Sequence, residues 1–411
     1  MFRALLRTSG APYAIACGAL LLGGHTPGMC AEYDGDTSVL DGVWSGQMRY
    51  RFESVDEDRP LHSASASTLR TRVGFETNPL LALGATLEIE DVRSIGAEKF
   101  NSTTNGHGGY SVVLDPEATE INQAYLTARR GSSRARAGRQ SLILDNARFI
   151  GNVDFRQNQQ TYDALFLQHS TAGGSRFTYA YSWRVNRFLG EDHALGELDM
   201  RTHLVNYSLG RLNGDRLTAY AYLLEFEPTA TLSPPASTRT YGASYDGSID
   251  VDTHKFMYRA EYARQTDHED SPATDAWYAN AELGWRLPNQ WVGTVGVEVL
   301  SGDGDYGFQT PLATGHKFNG FADMFAAATP VDGIEDRYVR IYAPFSAVRL
   351  TVAWHDFRAE RGNFDYGEEL DAQISWRLNS HLLLGAKYAD YQARDFAVDT
   401  RKGWLWVQVD L

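Results

Sequence analysis

The sequence predicts an all-β fold: a transmembrane antiparallel up-and-down β-barrel of about 18 strands, with about 16 as the alternative count. Three observations carry this. Apolar and polar residues alternate with a period of two along most of the chain. The connections between alternating runs are short and long in turn. The alternation continues to the last residue, Leu411.

The period of two is clearest in five runs. Leu81, Leu83, Ala85, Leu87 and Ile89 alternate with Thr86, Glu88 and Glu90. Phe256, Tyr258 and Tyr262 alternate with Arg259 and Glu261. Trp277, Ala279, Leu283 and Trp285 alternate with Asn280, Glu282 and Arg286. Val348, Leu350, Val352 and Trp354 alternate with Arg349, Thr351 and His355, and Leu370, Ile374 and Trp376 with Asp371, Gln373 and Arg377. A strand turns successive side chains to opposite faces, so each run has one face for an apolar phase and one for water. Strands are expected near 41–54, 68–78, 80–93, 119–130, 132–139, 160–170, 174–187, 200–212, 215–227, 237–249, 253–266, 274–288, 290–301, 335–343, 346–358, 367–377, 380–392 and 401–411. The 119–130 run has polar residues in both parities, so its faces are not assigned.

Tight turns carry Gly, Asn or Pro at Asn78-Pro79, Arg130-Gly131, Ala172-Gly173-Gly174, Asn213-Gly214-Asp215, Pro288-Asn289, Pro344-Phe345 and Asn379-Ser380. Long polar loops lie between them, notably 94–118, 140–159, 188–199 and 302–334. This rhythm is that of a membrane barrel, with tight periplasmic turns and longer outer loops. Trp277, Trp285, Trp291, Trp376, Trp404 and Trp406 lie near strand ends and are expected in interfacial girdles. In the last strand, Leu405, Val407, Val409 and Leu411 alternate with Trp406, Gln408 and Asp410, as an edge that closes the sheet would.

Residues 1–31 read as a secretory leader: Arg3 and Arg7 precede the apolar run Ala11–Gly24, which is too short to span a bilayer. Residues 32–411 then form one barrel domain with no linker. Both cysteines, Cys17 and Cys30, fall in the leader, which excludes disulfides, thiolate nucleophiles and Cys-ligated metals from the rest. The net charge is −14, and loss of Arg3 and Arg7 makes the remainder two units more negative. A chain this acidic is not a nucleic-acid binder. Mean hydropathy is negative, which suits a barrel wall that shows lipid only every second residue. The leader and the barrel together point to the outer membrane of a Gram-negative bacterium, with both termini periplasmic.

Strand parity assigns the faces. Met48, Tyr50 and Phe52 point to lipid, so Gln47, Arg49, Arg51 and Glu53 point inward. Leu69, Val73 and Phe75 point to lipid, so Arg70, Arg72 and Glu76 point inward. Further inward candidates are Glu88, Glu90, Arg134, Arg136, Arg184, Arg259, Glu261, Glu282, Arg286, Glu298, Arg340, Arg349, Glu369, Asp371, Arg377 and Lys387. The basic residues are almost all arginine; the lysines are Lys99, Lys255, Lys317, Lys387 and Lys402. Arginine's planar fork binds carboxylates in two-point contacts. Two readings stay open: Arg–acid ladders that brace the wall, or a net-positive track that selects anions.

Two segments resemble the alginate-export family of outer-membrane barrels. The first runs GRQSLILDNARFIGNV from Gly138 to Val153 and continues DFRQNQQTYDA to Ala164. The second is SGDGD at Ser301–Asp305 with TGHKFNGFADMF at Thr314–Phe325. The resemblance covers most of the mature chain and implies an 18-stranded monomeric barrel that acts as a passive channel. In the alginate exporter the pore is strongly basic and passes an anionic uronate polymer. Carried onto this sequence, Arg139, Arg148 and Arg156 become pore candidates, with Asp145, Asn146, Asn152, Asn158 and Asp163 as loop-forming partners. The alternative is a segment folded into the barrel by its own hydrogen bonds.

The expected function is a passive channel for anionic or polyhydroxy solutes, or for export of an anionic exopolysaccharide. Expected partners are outer-membrane lipid, the solute and the barrel-assembly machinery, with no cofactor. Two other readings are weighed. One is a general small-solute porin without anion preference. The other is a lipid hydrolase on the barrel wall, built on a Ser with His355 or His381, though no strand Ser is spaced to pair with either. Asp303 and Asp305 have the look of a cation loop but lack the later Glu, so no metal is expected.

Overall fold

The computed structural model describes residues 41–411, apart from 211–214, 230, 232–236 and 270. The leader expected over residues 1–31, with Cys17 and Cys30, lies outside the described residues, as do Asn213 and Gly214 of one turn.

The alternating runs become 18 strands: β1 (Gly42–Glu57), β2 (Ala64–Thr77), β3 (Leu83–Ser94), β4 (Ala118–Arg130), β5 (Ser133–Gln140), β6 (Thr161–Ser170), β7 (Arg176–Asn186), β8 (Glu197–Ser208), β9 (Arg216–Leu224), β10 (Thr238–Val251), β11 (His254–Asp267), β12 (Asp275–Arg286), β13 (Val292–Leu300), β14 (Ile334–Phe345), β15 (Val348–Arg358), β16 (Asp365–Arg377), β17 (Leu382–Ala393) and β18 (Thr400–Asp410). Each pairs antiparallel with its neighbours in sequence, and β18 pairs back onto β1 over Gln47↔Asp410 to Glu57↔Thr400. The sheet is therefore a closed barrel without an edge, the form in which every strand of a lipid-embedded sheet finds partners. The start of β1 and Leu411 lie at the same end: the Leu411 amide donates to the Gly46 carbonyl at 2.8 Å. That end carries the short turns and the opposite end the long loops.

The outward face is apolar through the middle of the wall, where Leu283, Val295, Ile341, Leu370, Ile374 and Leu405 are exposed. Leu, Val and Ile left on a surface have no reason to be there in water, and a hydrocarbon phase satisfies them. The expected girdle keeps Trp285 and Trp376, which are exposed. It loses Trp404, which is 1% exposed and points into the barrel against Phe155 and His316. Trp406 shares that parity and lies across Gly385 of the adjacent strand. The sign of a strand residue is set by its parity, and these two sit on the inner one.

Bulges break the parity count in two informative places. In β4, Glu88 pairs with Gln123 but Ile89 pairs with Ile121, so Asn122 is the extra residue. This is why the 119–130 run reads ambiguously: the polar face changes parity midway. In β7, Ala164 pairs with Ser182 and Asp163 with Arg184, which leaves Trp183 extra. Beyond it, Arg184 points outward rather than inward.

Gly385 sits beneath the Trp406 indole, where an added Cβ would overlap the ring. Gly385→Val is expected to cost about 1–3 kcal/mol by overpacking. It should lower the temperature at which the barrel loses its folded mobility on a denaturing gel. Gly293→Val is the control, since a Cβ there meets nothing within 4 Å.

Candidate functional site

Two long loops, 141–160 and 301–333, fold into the barrel and bond to each other. The Gly151 amide donates to the Leu312 carbonyl at 2.9 Å and the Thr314 amide to the Ala147 carbonyl at 3.0 Å. Lys317 Nζ donates to the Asn146 carbonyl at 2.8 Å. Both loops contain left-handed non-glycine residues: Asp145 (φ 51°), Ala147 (68°) and Val153 (52°) in the first, Asn319 (54°) and Asp323 (63°) in the second. A left-handed valine is costly and persists only where its surroundings fix it.

What fixes the loops is a set of buried arginine–carboxylate pairs with the wall. Arg148 Nε donates to Glu298 Oε1 of β13 at 2.9 Å, and its Nη2 donates to Asn319 Oδ1 at 3.0 Å, tying both loops to one strand. Arg156 Nη1 reaches Glu53 of β1 at 3.2 Å and its Nη2 reaches Asp323 at 2.8 Å. From the wall inward, Arg49 Nη1 donates to the Asp154 carbonyl at 2.9 Å and Nε to Gln157 Oε1 at 2.9 Å. Arg51 binds Asp115 and the Phe155 carbonyl. Arg70 and Arg72 reach Asp154 Oδ1 at 3.3 and 2.9 Å, and Arg72 also binds Glu90. Desolvation opposes ionisation of Asp154, but the guanidiniums of Arg72, Arg70 and Arg49 outweigh it and hold the carboxyl well below the usual range.

Apolar packing completes the attachment. Phe149 packs among Tyr220, Tyr222, Tyr278 and Phe308 at ring-centre distances of 5.2–6.1 Å. Phe325 sits among Phe357, Tyr366, Tyr391 and Phe396. Lys387 of β17 lies over the rings of Phe155 and Phe321 at 4.1 and 3.9 Å. Its Nζ lies 2.8 Å from His316 Nε2, and His316 Nδ1 lies 2.8 Å from Asp323 Oδ1. Burial lowers the His316 imidazole to about 3, so the ring is neutral: Nδ1–H donates to Asp323 and Nε2 accepts from Lys387.

Among the motif residues, Asp145 accepts from Asn206 Nδ2 at 2.7 Å and Tyr222 Oη at 3.3 Å. Asn146 Oδ1 accepts the Arg148 amide at 3.1 Å. The Asn152 carbonyl accepts the Gln160 amide at 2.7 Å, and Asn158 Nδ2 donates to the Pro116 carbonyl at 2.9 Å. These residues hold loop shape. Arg139 is placed differently. It pairs in register with Ala124 and Asp163, on the face of exposed Leu126 and Leu165, and its Nε donates to Asp163 Oδ1 at 2.8 Å. Arg139 and Asp163 are thus on the outward face, because β5 without a bulge cannot turn Arg139 and Arg136 the same way. Arg184 joins them there through Asp199 at 2.7 Å and Glu197 at 3.3 Å.

The remaining inward arginines divide into two groups. Arg259 binds Glu261 at 2.7 Å, and Arg340 binds Glu282 at 3.0 Å. At the short-turn end of β4, β5 and β7 the pattern changes. Arg129 and Arg134 are register partners, and the charged groups that reach Arg134 are Arg136, Arg129 and Arg176. Arg136 stacks on Phe166 at 4.7 Å and Tyr125 at 5.2 Å. Among the described residues no carboxylate pairs with any of these four. Arg349 also stands at the short-turn end, exposed at the start of β15. The Arg129–Arg176 sector was only half visible in the sequence, because Arg129 lies in the run whose parity the bulge confuses.

The hydrolase residues are not brought together. His355 Nδ1 is bonded to Asp336 at 2.9 Å and His381 Nδ1 to the Asp410 carbonyl at 2.7 Å. Among the described residues a Ser hydroxyl meets a His ring at Ser133 Oγ and His169 Nδ1, 2.9 Å apart and exposed. Among the described residues no carboxylate contacts that ring. Asp303 folds back on its own loop, accepting the amides of Asp305 and Tyr306 at 2.9 and 2.7 Å. The described carboxylates and histidines that come closest to a metal grouping are Glu225, His268 and Glu269. Two of these already face arginines: Glu225 pairs with Arg201, and His268 Nδ1 accepts from Arg239 at 3.0 Å.

The family model described as "Alginate export" matches residues 44–363. The chain belongs to the alginate export family. No curated protein matches this sequence. Among solved structures the chain is similar to OccAB4 of Acinetobacter baumannii, with a TM-score of 0.73 and 13% identity over 90% of this chain and 98% of that one. It is also similar to the outer membrane protein OpdK of Pseudomonas aeruginosa, with a TM-score of 0.70, 13% identity and the same two shares. At that identity the likeness concerns the fold. Family and fold together make this alginate-export protein an outer-membrane channel.

Loss of one partner in a buried pair leaves the other charge uncompensated. Arg148→Ala is expected to destabilise loop docking by about 3–5 kcal/mol, seen as noisy open-channel current and protease sensitivity within 141–160. Adding Glu298→Gln should restore part of the loss. The depressed Asp154 carboxyl sets a pH window. Its contribution is present above the unfolded value near 3.9 and is lost as pH falls through the lower folded value. The Asp154 contribution to docking of the 141–160 loop should therefore stay constant down to about pH 5, and protease sensitivity within that loop should rise below about pH 4.

Proposed function

We propose that this family member is a passive outer-membrane channel that favours anionic solutes, with its short-turn end and both termini in the periplasm. The carrying observation is the cationic sector of Arg129, Arg134, Arg136 and Arg176, which stands on the inner wall without a carboxylate partner among the described residues. Arg51, Arg72, Arg148, Arg156, Arg259 and Arg340 are instead paired with acids, so they brace the structure and add little net field. Unpaired guanidiniums at a mouth raise the local concentration of anions and repel cations. Their planar donors and the flanking Tyr125 and Phe166 rings suit carboxylates carried on a flat or ring-shaped solute. Uronates belong to that class, and an anionic exopolysaccharide such as alginate is its polymeric form. A wall hydrolase needs a relay that Ser133–His169 does not have.

Reversal potentials in planar bilayers under a salt gradient test the proposal. The expected result is anion preference, which falls at least severalfold in Arg134→Ala/Arg136→Ala while conductance is retained. Cation preference in the unaltered protein, or anion preference untouched by the double change, would overturn it.

A further inference from the structure

The carboxylates that bolt the two loops to the wall are sealed, with one exception. The side chains of Glu53, Asp115 and Glu298 are 1%, 0% and 4% exposed, whereas that of Asp154 keeps 47%. Asp154 also binds one-sidedly. Its Oδ1 takes Arg72 at 2.9 Å, Arg70 at 3.3 Å and Gln159 Nε2 at 3.4 Å. It is offered to the wall by the left-handed Val153 (φ 52°) at the turn of an inserted loop.

The wall side is built for a carboxylate. Arg70 is 0% exposed and its other partners are neutral: Gln47 Oε1 and the Gln157 carbonyl at 3.5 Å. Arg49 is likewise buried, and it bonds to Gln157 and to backbone carbonyls. Arg72 alone of the three has a second acid, Glu90. The Nε of Arg70 and Nη2 of Arg72 are buried without a partner. If Asp154 withdraws, a buried guanidinium stays behind uncompensated, and burial of an unpaired charge is strongly unfavourable. An anion must take its place.

We infer that Arg49, Arg70 and Arg72 form a carboxylate-binding site that Asp154 occupies as a tethered internal ligand, and that a monocarboxylate solute in the lumen exchanges with it. This rests on the anion-channel reading and names the site where the solute is held. Exchange keeps the charge count of the cradle constant: one carboxylate leaves as another arrives. The loop is released only when solute is present, so Asp154 both holds the closed arrangement and selects for its own chemical class.

The test uses proteoliposomes of the full chain with glucuronate and glucose as probes. Asp154→Asn removes the competing charge as well as a loop anchor, so the readout is a ratio: glucuronate uptake relative to glucose uptake is expected to rise about tenfold, equivalent to about 1.4 kcal/mol. Adding Arg70→Gln should abolish the gain. An equal rise for both sugars would make Asp154 a steric brace and overturn the inference, as would no rise in the ratio. A wild-type protein that passes neither sugar would instead defeat the channel reading. A second measurement needs no variant. Hydrogen exchange at residues 153–157 of the unaltered protein should quicken with added glucuronate and not with glucose, and equal exchange in both would overturn the proposal.

Discussion

A strand edge in hydrocarbon has nowhere to send its N–H and C=O groups, and the whole molecule is arranged around that constraint. Closure of β18 onto β1 removes the edge. It also fixes a wall whose inner and outer faces must differ at every second residue. Connections are then sorted by end, since an antiparallel sheet of consecutive strands returns to the same rim every two strands. The long loops can only gather at one rim, and from there the nearest unfilled volume is the lumen.

A wall of 18 strands is too wide for its own side chains to meet across the centre. The inserted loops solve this with a second core inside the barrel, in which Phe149 and Phe325 each find a nest of wall aromatics. Aromatic packing alone would leave many loop backbone groups unsatisfied. The wall arginines supply the donors: Arg49 and Arg51 bind carbonyls of residues 154–156, while loop arginines Arg148 and Arg156 bind wall carboxylates. The exchange of charge in both directions lets a polar wall carry a buried loop without isolated ions.

Pairing in one sector gives meaning to its absence in another. Where loops dock, Arg51, Arg72, Arg148 and Arg156 each meet a carboxylate. Along the short-turn ends of β4, β5 and β7, arginines stand beside other arginines. The same residue type therefore serves as a brace in one place and as a source of field in the other, and only the position of the acids separates the two roles.

The sequence by itself determined the wall. Strand positions, the rhythm of turns and loops, and the inward direction of Arg49, Arg51, Arg70 and Arg72 all follow from a period of two, which is a local property of the chain. It did not determine which arginines are free. Arg148 meets Glu298 across 150 residues of chain, and Arg49 meets Gln157 across 108. Such pairs exist only once the barrel has closed and the loops have entered it. The outward turn of Arg184 depends on one extra residue at Trp183, and the ambiguity of β4 on Asn122. A single inserted residue inverts every face beyond it, and at Trp183 hydrophobic alternation does not register the insertion because both neighbours, Ser182 and Arg184, are polar. Tertiary structure decided the use of the charges, because an ion pair depends on distance in space and parity depends only on order along the strand.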